Sequence, residues 1–503
     1  MIKTVVTIII FFLASLAQAQ VPLGDKDRQT YLKLTEDFFE EVMTMDAVTE
    51  TDEERLLMVK AFREILKTTG ANQFRFEPGL SWSNLWPPQR TMKPGPPVER
   101  DSTKSFETIS LSHSVLKQDK HSIKNLREYI GARLGIHSAN LIEKGEVVPI
   151  VLGGSEMSIR ALLSANDSEM HKIPSFYETW GISKWMVSGE KMPDGKARLV
   201  YIVPPAQEYL EHYQYMLTQL TGREQNVVRN KKDYLNWKNN FSEAAKRVKA
   251  SLGERFDFVT LGYFNQWLVA LESEKARYRF VEIPIFYRDS SGLMARKFTV
   301  YDRQVGREIS LLSLGHEKVI WGEASAEIIG SFLRAGPRAV VFMGSAGSIS
   351  NKSHIYDLSV PLKFRTNQGE LETENFVQSM KRTTGKVKNV PVAYNIIHGS
   401  TSSPAAQTLN YLTKHSEVGE DTIDVEQSLI AKKVSEYNFQ HASDIQFGAI
   451  NLIADKSLGD AEHSLDKVDH LKKSQARLAA VSLAIQAIGI QRVTAMGCGR
   501  VHR

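Results

Sequence analysis

The chain has 503 residues, 42% of them hydrophobic and 24% charged, and its 63 Lys and Arg against 58 Asp and Glu give a formal charge of +5. So small an excess over this length does not build the basic field that nucleic acid requires, and the apolar fraction suits two or three domains with sizeable cores, not a disordered chain. The single cysteine, Cys498, cannot form an intrachain disulfide, so stability must come from packing.

In chain order, Lys3 precedes an apolar run from Val5 to Leu13 and then Ala17-Gln18-Ala19, the small-residue pattern of a cleavable leader. The apolar run is shorter than the roughly 20 residues of a membrane span. Residues 1–19 are therefore expected to be a signal peptide, and the mature protein to be periplasmic or secreted with no membrane partner. Arg28 to Thr68 has helical spacing with a charged face, and the proline-rich stretch Trp86 to Pro97 must be a loop or extended edge. Ser105 to Leu141 reads as strand then helix, and Arg223 to Lys249 as a basic, solvated linker helix. Residues 20–250 are expected to form an α+β domain.

From Phe256 the texture changes to short β-branched strands alternating with amphipathic helices: Phe258–Leu261, Lys297–Tyr301, Ile309–Ser313, a helix near Glu323–Leu333, then Ala339–Met343. This α/β pattern with a largely buried sheet sets a second domain at 255–492. Val425, Leu429 and Val434 share a helical face, and Ile445 to Ile453 reads as a strand carrying Asp455 to its carboxyl end, where functional groups gather in open α/β sheets. Gln475 to Ile488, rich in alanine, is expected only to pack.

Three local patterns stand out. Glu426 lies in Ile423-Asp424-Val425-Glu426, Asp455 in Ile453-Ala454-Asp455-Lys456-Ser457-Leu458, and Val340 to Met343 runs into a glycine turn, Gly344-Ser345-Ala346-Gly347. With Gly315-His316-Glu317-Lys318 and Asp357 to Pro361, their order and spacing resemble the nucleoside phosphorylase and nucleosidase superfamily. Within it, Asp424-Val425-Glu426 and Ala454 to Leu458 are most similar to AMP nucleosidases. Val148 to Val151 leading into Gly154-Ser155-Glu156, and more loosely Phe76 to Trp82, resemble the extra N-terminal domain of that family. The resemblance implies a three-layer α/β phosphorylase/nucleosidase-type domain with a mixed central sheet, preceded by the α+β domain.

It also implies cleavage of a purine nucleotide, AMP or a relative, to adenine and a ribose product. Asp455 would protonate the leaving base, which otherwise departs as an anion, and Glu426 would hold the ribose hydroxyls and favour the cationic sugar. Gly344, Ser345 and Ala346 would bind through their backbone, Lys318 would take a phosphate, and Glu156 is the candidate from the N-terminal domain for the attacking water. Arg288, Arg296, Lys318 and Lys352 are the cations that would distinguish a nucleotide from an unphosphorylated nucleoside. No metal or organic cofactor is expected, phosphate being the one candidate ligand or co-substrate, and the resemblance brings the expectation of a homo-oligomer.

Departures keep alternatives open. Gly315-His316-Glu317 replaces a glycine-rich phosphate loop, Ala454 a serine, Asn451 an arginine, and His398 to Thr401 a Gly-Asp or Asp-Asp pair. A nucleosidase or phosphorylase for unphosphorylated nucleosides, or a nucleotide-binding protein without turnover, shares the same skeleton. As purely structural readings, Glu426 would cap the following helix and Asp455 a turn.

Overall fold

A computed structural model describes residues 105–498 apart from 112–119, 124–125, 164–169, 174–181, 188–193, 317–319, 459–469 and a few single or paired positions. The expected leader, the helix at 28–68, Phe76–Trp82, the proline-rich stretch and Lys318 lie outside the described residues. The chain divides into two compact units, residues 1–106 with 127–203, and 107–126 with 204–503.

After β1 (Phe106–Thr108), the first unit contains α1 (Leu126–Leu134), α2 (Ile136–Glu143), β2 (Val147–Gly153), α3 (Met157–Leu163), β3 (Met170–Ile173), β4 (Ser183–Val187) and β5 (Ala197–Val203). β2 and β5 run parallel, and β5, β4 and β3 follow antiparallel. The segment Val148 to Val151 lies in β2. Within this core Lys184 is fully buried; its ammonium donates to Leu134 O at 3.2 Å and Ser138 Oγ at 3.4 Å, which offsets the cost of burying it.

The second unit begins with α4 (Gln207–Thr221), β6 (Val227–Asn230) and α5 (Lys231–Leu252). The basic stretch expected to be a solvated linker is α5, and it is more than that. Ala244, Ala245, Val248 and Leu252 are buried in a core with Ile328, Ile329 and Phe332, and Lys238 pairs with Glu323 and Glu327 of the neighbouring helix at 322–333.

Then come β7 (Phe258–Leu261), α6 (Gln266–Ser273), β8 (Tyr278–Phe280), β9 (Ile285–Arg288), β10 (Leu293–Asp302), β11 (Arg307–His316), α7 (Gly322–Leu333) and β12 (Ala339–Ser348). After these follow β13 (Leu358–Thr366), β14 (Gly369–Leu371), β15 (Lys386–Val387), β16 (Val390–Ser400), α8 (Leu409–Glu417), β17 (Thr422–Asp424), α9 (Gln427–His441), β18 (Gln446–Lys456) and α10 (His470–Cys498).

Alternation along β12 explains the layering. Val340 and Phe342 enter a core with α5, α7 and α9, whereas Val341 and Met343 enter one with α6 and α10. Both faces of the strand are therefore apolar, and the sheet lies between two helical layers. The sheet is mixed: β12 pairs in parallel with β7 and β18 and antiparallel with β17. β18 also pairs antiparallel with β13, which runs parallel to β16, and β16 runs parallel to β17. Strands β12, β18, β13, β16 and β17 thereby close a ring, from which β7, β11, β10 and β8 continue as an open sheet. No helix among the described residues is long and apolar enough to cross a membrane.

Candidate active site

The site lies where β12 changes partner. Its residues 339–342 pair with β7, and Gly347 and Ser348 pair with β17. The interval between them has no strand on that side, which leaves backbone groups of Gly344, Ser345 and Ala346 facing a cavity of about 670 Å³. The glycine segment is therefore not the expected turn. It stays in β12 because β18 pairs with it throughout, with a bulge between Ala346 and Gly347 that sets Gly347 beside Asp455. Gly315, expected in a turn as well, belongs to β11 and also lines the cavity.

Asp455, near the end of β18, opens into this cavity while otherwise enclosed by protein. Burial raises its pKa, opposed by Ser457, whose hydroxyl donates to Oδ2 at 2.6 Å. A Cβ at Gly347 would collide with Ser457 Oγ and lie 3.3 Å from both carboxylate oxygens of Asp455, so the bare backbone here makes room for the pair. Lys456 turns elsewhere and donates to Asn351 Oδ1 at 3.0 Å, as strand alternation requires.

Glu426 stands at the N-cap position of α9 yet makes no capping bond. Asp424 does that work: its Oδ1 accepts from Glu426 N at 3.1 Å and Gln427 N at 3.0 Å. The Glu426 side chain is thus released to the cavity, whose wall it shares with Asp424 and Asp455. Burial, then the neighbouring Asp424 and Glu208 charges, hold its pKa well above the ordinary carboxylate value.

Below this wall His398 is fully buried, its Nε2 3.0 Å from Asp424 Oδ1 and its Nδ1 2.9 Å from Thr422 Oγ1. Asn451 and Gln427 exchange two amide hydrogen bonds, of 2.9 and 3.1 Å. The two departures at His398 and Asn451 are therefore parts of one buried polar layer supporting Asp424 and α9, not groups in the cavity.

The cations singled out in the sequence do not converge. Arg296 stacks over Phe264 at 4.8 Å and Phe286 at 5.7 Å, and Lys352 pairs with Asp421 at 2.7 Å. Arg288 lies on the exposed strand β9, and Lys318 is outside the described residues. Glu156 belongs to the first unit, where its carboxylate faces Lys172 Nζ at 3.6 Å.

Among the described residues the arginine lining the cavity is Arg477, from the helix expected only to pack. Its guanidinium carbon is 5.6 Å from the Tyr263 ring centre, and its Nε has no hydrogen-bond partner among the described residues. Tyr263 donates to Gly344 O at 2.5 Å, its phenol pushed up to about 12 chiefly by burial. Arg477, Tyr263 and Phe264 were missed in the sequence; the signal that could have found the tyrosine and phenylalanine is a glycine, Gly262, directly after the first strand of the α/β unit.

This combination defines an α/β protein with a strand-end cavity that holds a half-buried acid, a second carboxylate and an arginine. No family model and no curated protein matches the sequence. Among solved structures, similarity at low identity extends over about half of this chain. A methylthioadenosine phosphorylase from an antarctic soil metagenomic library is similar at 13% identity over 47% of this chain and 86% of that one, with a TM-score of 0.36. A putative 5′-methylthioadenosine/S-adenosylhomocysteine nucleosidase from Francisella philomiragia matches at 14% identity over 46% and 98%, TM-score 0.32. Purine nucleoside phosphorylase from Toxoplasma gondii, in complex with immucillin-H, matches at 14% identity over 48% and 92%, TM-score 0.34.

Proposed function

We propose that the chain is an exported purine N-glycosidase that hydrolyses AMP or a related nucleotide to adenine and ribose 5-phosphate. The observation that carries this reading is the half-buried Asp455, held toward its neutral acid form at the wall of a cavity shared with Glu426. Breaking the bond from C1′ to the purine sends its electron pair to the base, and Asp455 donates a proton to that base so that it leaves neutral. Water forms the new C1′–O bond and releases one proton, which balances the one taken by the base once Asp455 is reprotonated.

Glu426, protonated more readily than usual because of its burial and the charges near it, becomes the favoured anion when positive charge develops on the sugar beside it. The backbone of Gly344 to Ala346 offers polar groups to the ribose, and Arg477 is the cation available to a 5′-phosphate. A second reading, cleavage of an unphosphorylated nucleoside, is favoured by the lining itself, where among the described residues Arg477 is the one arginine or lysine beside three carboxyl side chains, Asp424, Glu426 and Asp455.

The test incubates the mature protein and Asp455→Asn with AMP, adenosine and methylthioadenosine, with and without phosphate, and follows free adenine by chromatography. Phosphate-independent release from AMP alone, lost in the variant, is expected. Adenine from the nucleosides instead would support the second reading, and release undiminished in Asp455→Asn would refute the role of the acid.

A further inference from the structure

The first turn of α7 borders the cavity through Trp321 and Ser325. The start of a twelve-residue helix presents unpaired amides and partial positive charge, where an inorganic phosphate nucleophile would naturally sit. In this chain that place is already taken. Glu208 of α4, 7% exposed, directs Oε2 at the amide of Glu323, 3.3 Å away. Gly322 has φ +47, and a Cβ there would run into the Glu208 carboxyl, so the start of α7 is shaped around this one side chain.

The preceding amide, Trp321 N, donates to Tyr209 Oη at 3.0 Å, and the two rings stack with centroids 5.4 Å apart. A second helix beginning at the cavity, α9, is capped in the same manner by Asp424. These two helix starts at the cavity wall are therefore satisfied by carboxylates of the protein itself, and Glu208 is close enough to Glu426 to raise its pKa.

We infer that Glu208 is a resident anion at the head of α7 that bars inorganic phosphate, so that water is the acceptor of the ribosyl group. This rests on the N-glycosidase reading for the acceptor's identity, although the exclusion of phosphate stands on the geometry alone. Phosphorolysis would form a C1′–O bond to phosphate as the bond to the base breaks, and from AMP it would yield ribose 1,5-bisphosphate. Hydrolysis yields ribose 5-phosphate. Two like charges within a few ångströms near a protein surface repel, so removing one should tighten phosphate binding by at least about fivefold.

The experiment uses the full mature chain, Glu208→Ala and Glu208→Gln at pH 8. Inorganic phosphate is titrated by ³¹P line broadening, with products from AMP identified in parallel. The wild type is expected to show no saturable phosphate binding in the millimolar range and no sugar 1-phosphate. Glu208→Ala should bind phosphate, and Glu208→Gln, which keeps the volume and loses the charge, should bind it more weakly than the alanine variant. Saturable binding by the wild type, a 1-phosphorylated product from it, or variants that gain no affinity would each overturn the inference. Should no purine compound be cleaved, the N-glycosidase reading fails while the phosphate titration still decides this one. The wild-type arm alone can refute it if a variant does not fold.

Discussion

The sharpest stability consequence belongs to Glu208. Burial, with the Glu323 and Glu211 charges adding to it, raises this carboxyl from 4.5 to about 7. The folded state therefore holds a proton that the unfolded chain gives up more readily. Folding is favoured most below pH 4.5, and that contribution is lost as pH rises through 4.5 toward 7. A displacement of this size corresponds to about 3 kcal/mol. Glu208→Gln keeps an oxygen for the Glu323 amide but can never ionise. The stability difference between variant and wild type should be flat below pH 4.5 and grow in the variant's favour by about 3 kcal/mol between pH 4.5 and 8. For a unit of this size that is a gain of roughly 4–5 °C in Tm at pH 8. Calorimetry of both proteins across pH 4–8 measures it, and because only their difference is used, the titration of groups not coupled to Glu208 cancels. Parallel curves across the range would refute the charge state assigned to Glu208.

Three further outcomes follow from the site. Ser457→Ala removes the hydrogen bond that pulls the Asp455 pKa down, so the alkaline limb of the pH–rate profile for adenine release should move to higher pH; a limb that stays put or moves lower contradicts Asp455 as the acid. Gly347→Ala places a methyl group against Ser457 Oγ and the Asp455 carboxylate. It should cost at least about 100-fold in kcat, the scale of losing a general acid, with the unfolding midpoint as control for a global effect. Arg477→Met should raise KM for AMP at least about tenfold, as expected for a lost charge-assisted contact, and leave adenosine unaffected. Equal losses on both substrates would remove Arg477 from phosphate recognition.

The parts legible in the sequence are those with a local signature. Alternation from Val340 to Met343 marks a strand apolar on both faces, and the spacing of Glu426 and Asp455 from neighbouring apolar runs puts each at an element's end, where the structure has them. The glycines of 344–347 read as a turn because glycine usually punctuates chains. Here one of them is fixed by the side chains of Asp455 and Ser457, about 110 positions downstream, which no local rule foresees. Glu426 was equally legible as a cap, and only Asp424 taking that role distinguishes the two. Glu208 and Arg477 carry no motif. Each matters through residues far along the chain, Glu323 for one and Tyr263 for the other.

The closed ring bears on how the proposed activity would be acquired during folding. β18 lies between β12 and β13, pairing Ala339 with Gln446 and Leu358 with Leu452, so it is the last strand of the ring to be made by the ribosome and must insert between two made earlier. Such long-range pairing is slow because chain entropy is lost before the contacts that compensate it form. Asp455 rides on that strand. The acid thus reaches the cavity only when the ring shuts, so recovery of base release after dilution from denaturant should trail the return of helical signal. Once shut, the ring leaves β18 no free edge to recruit another chain.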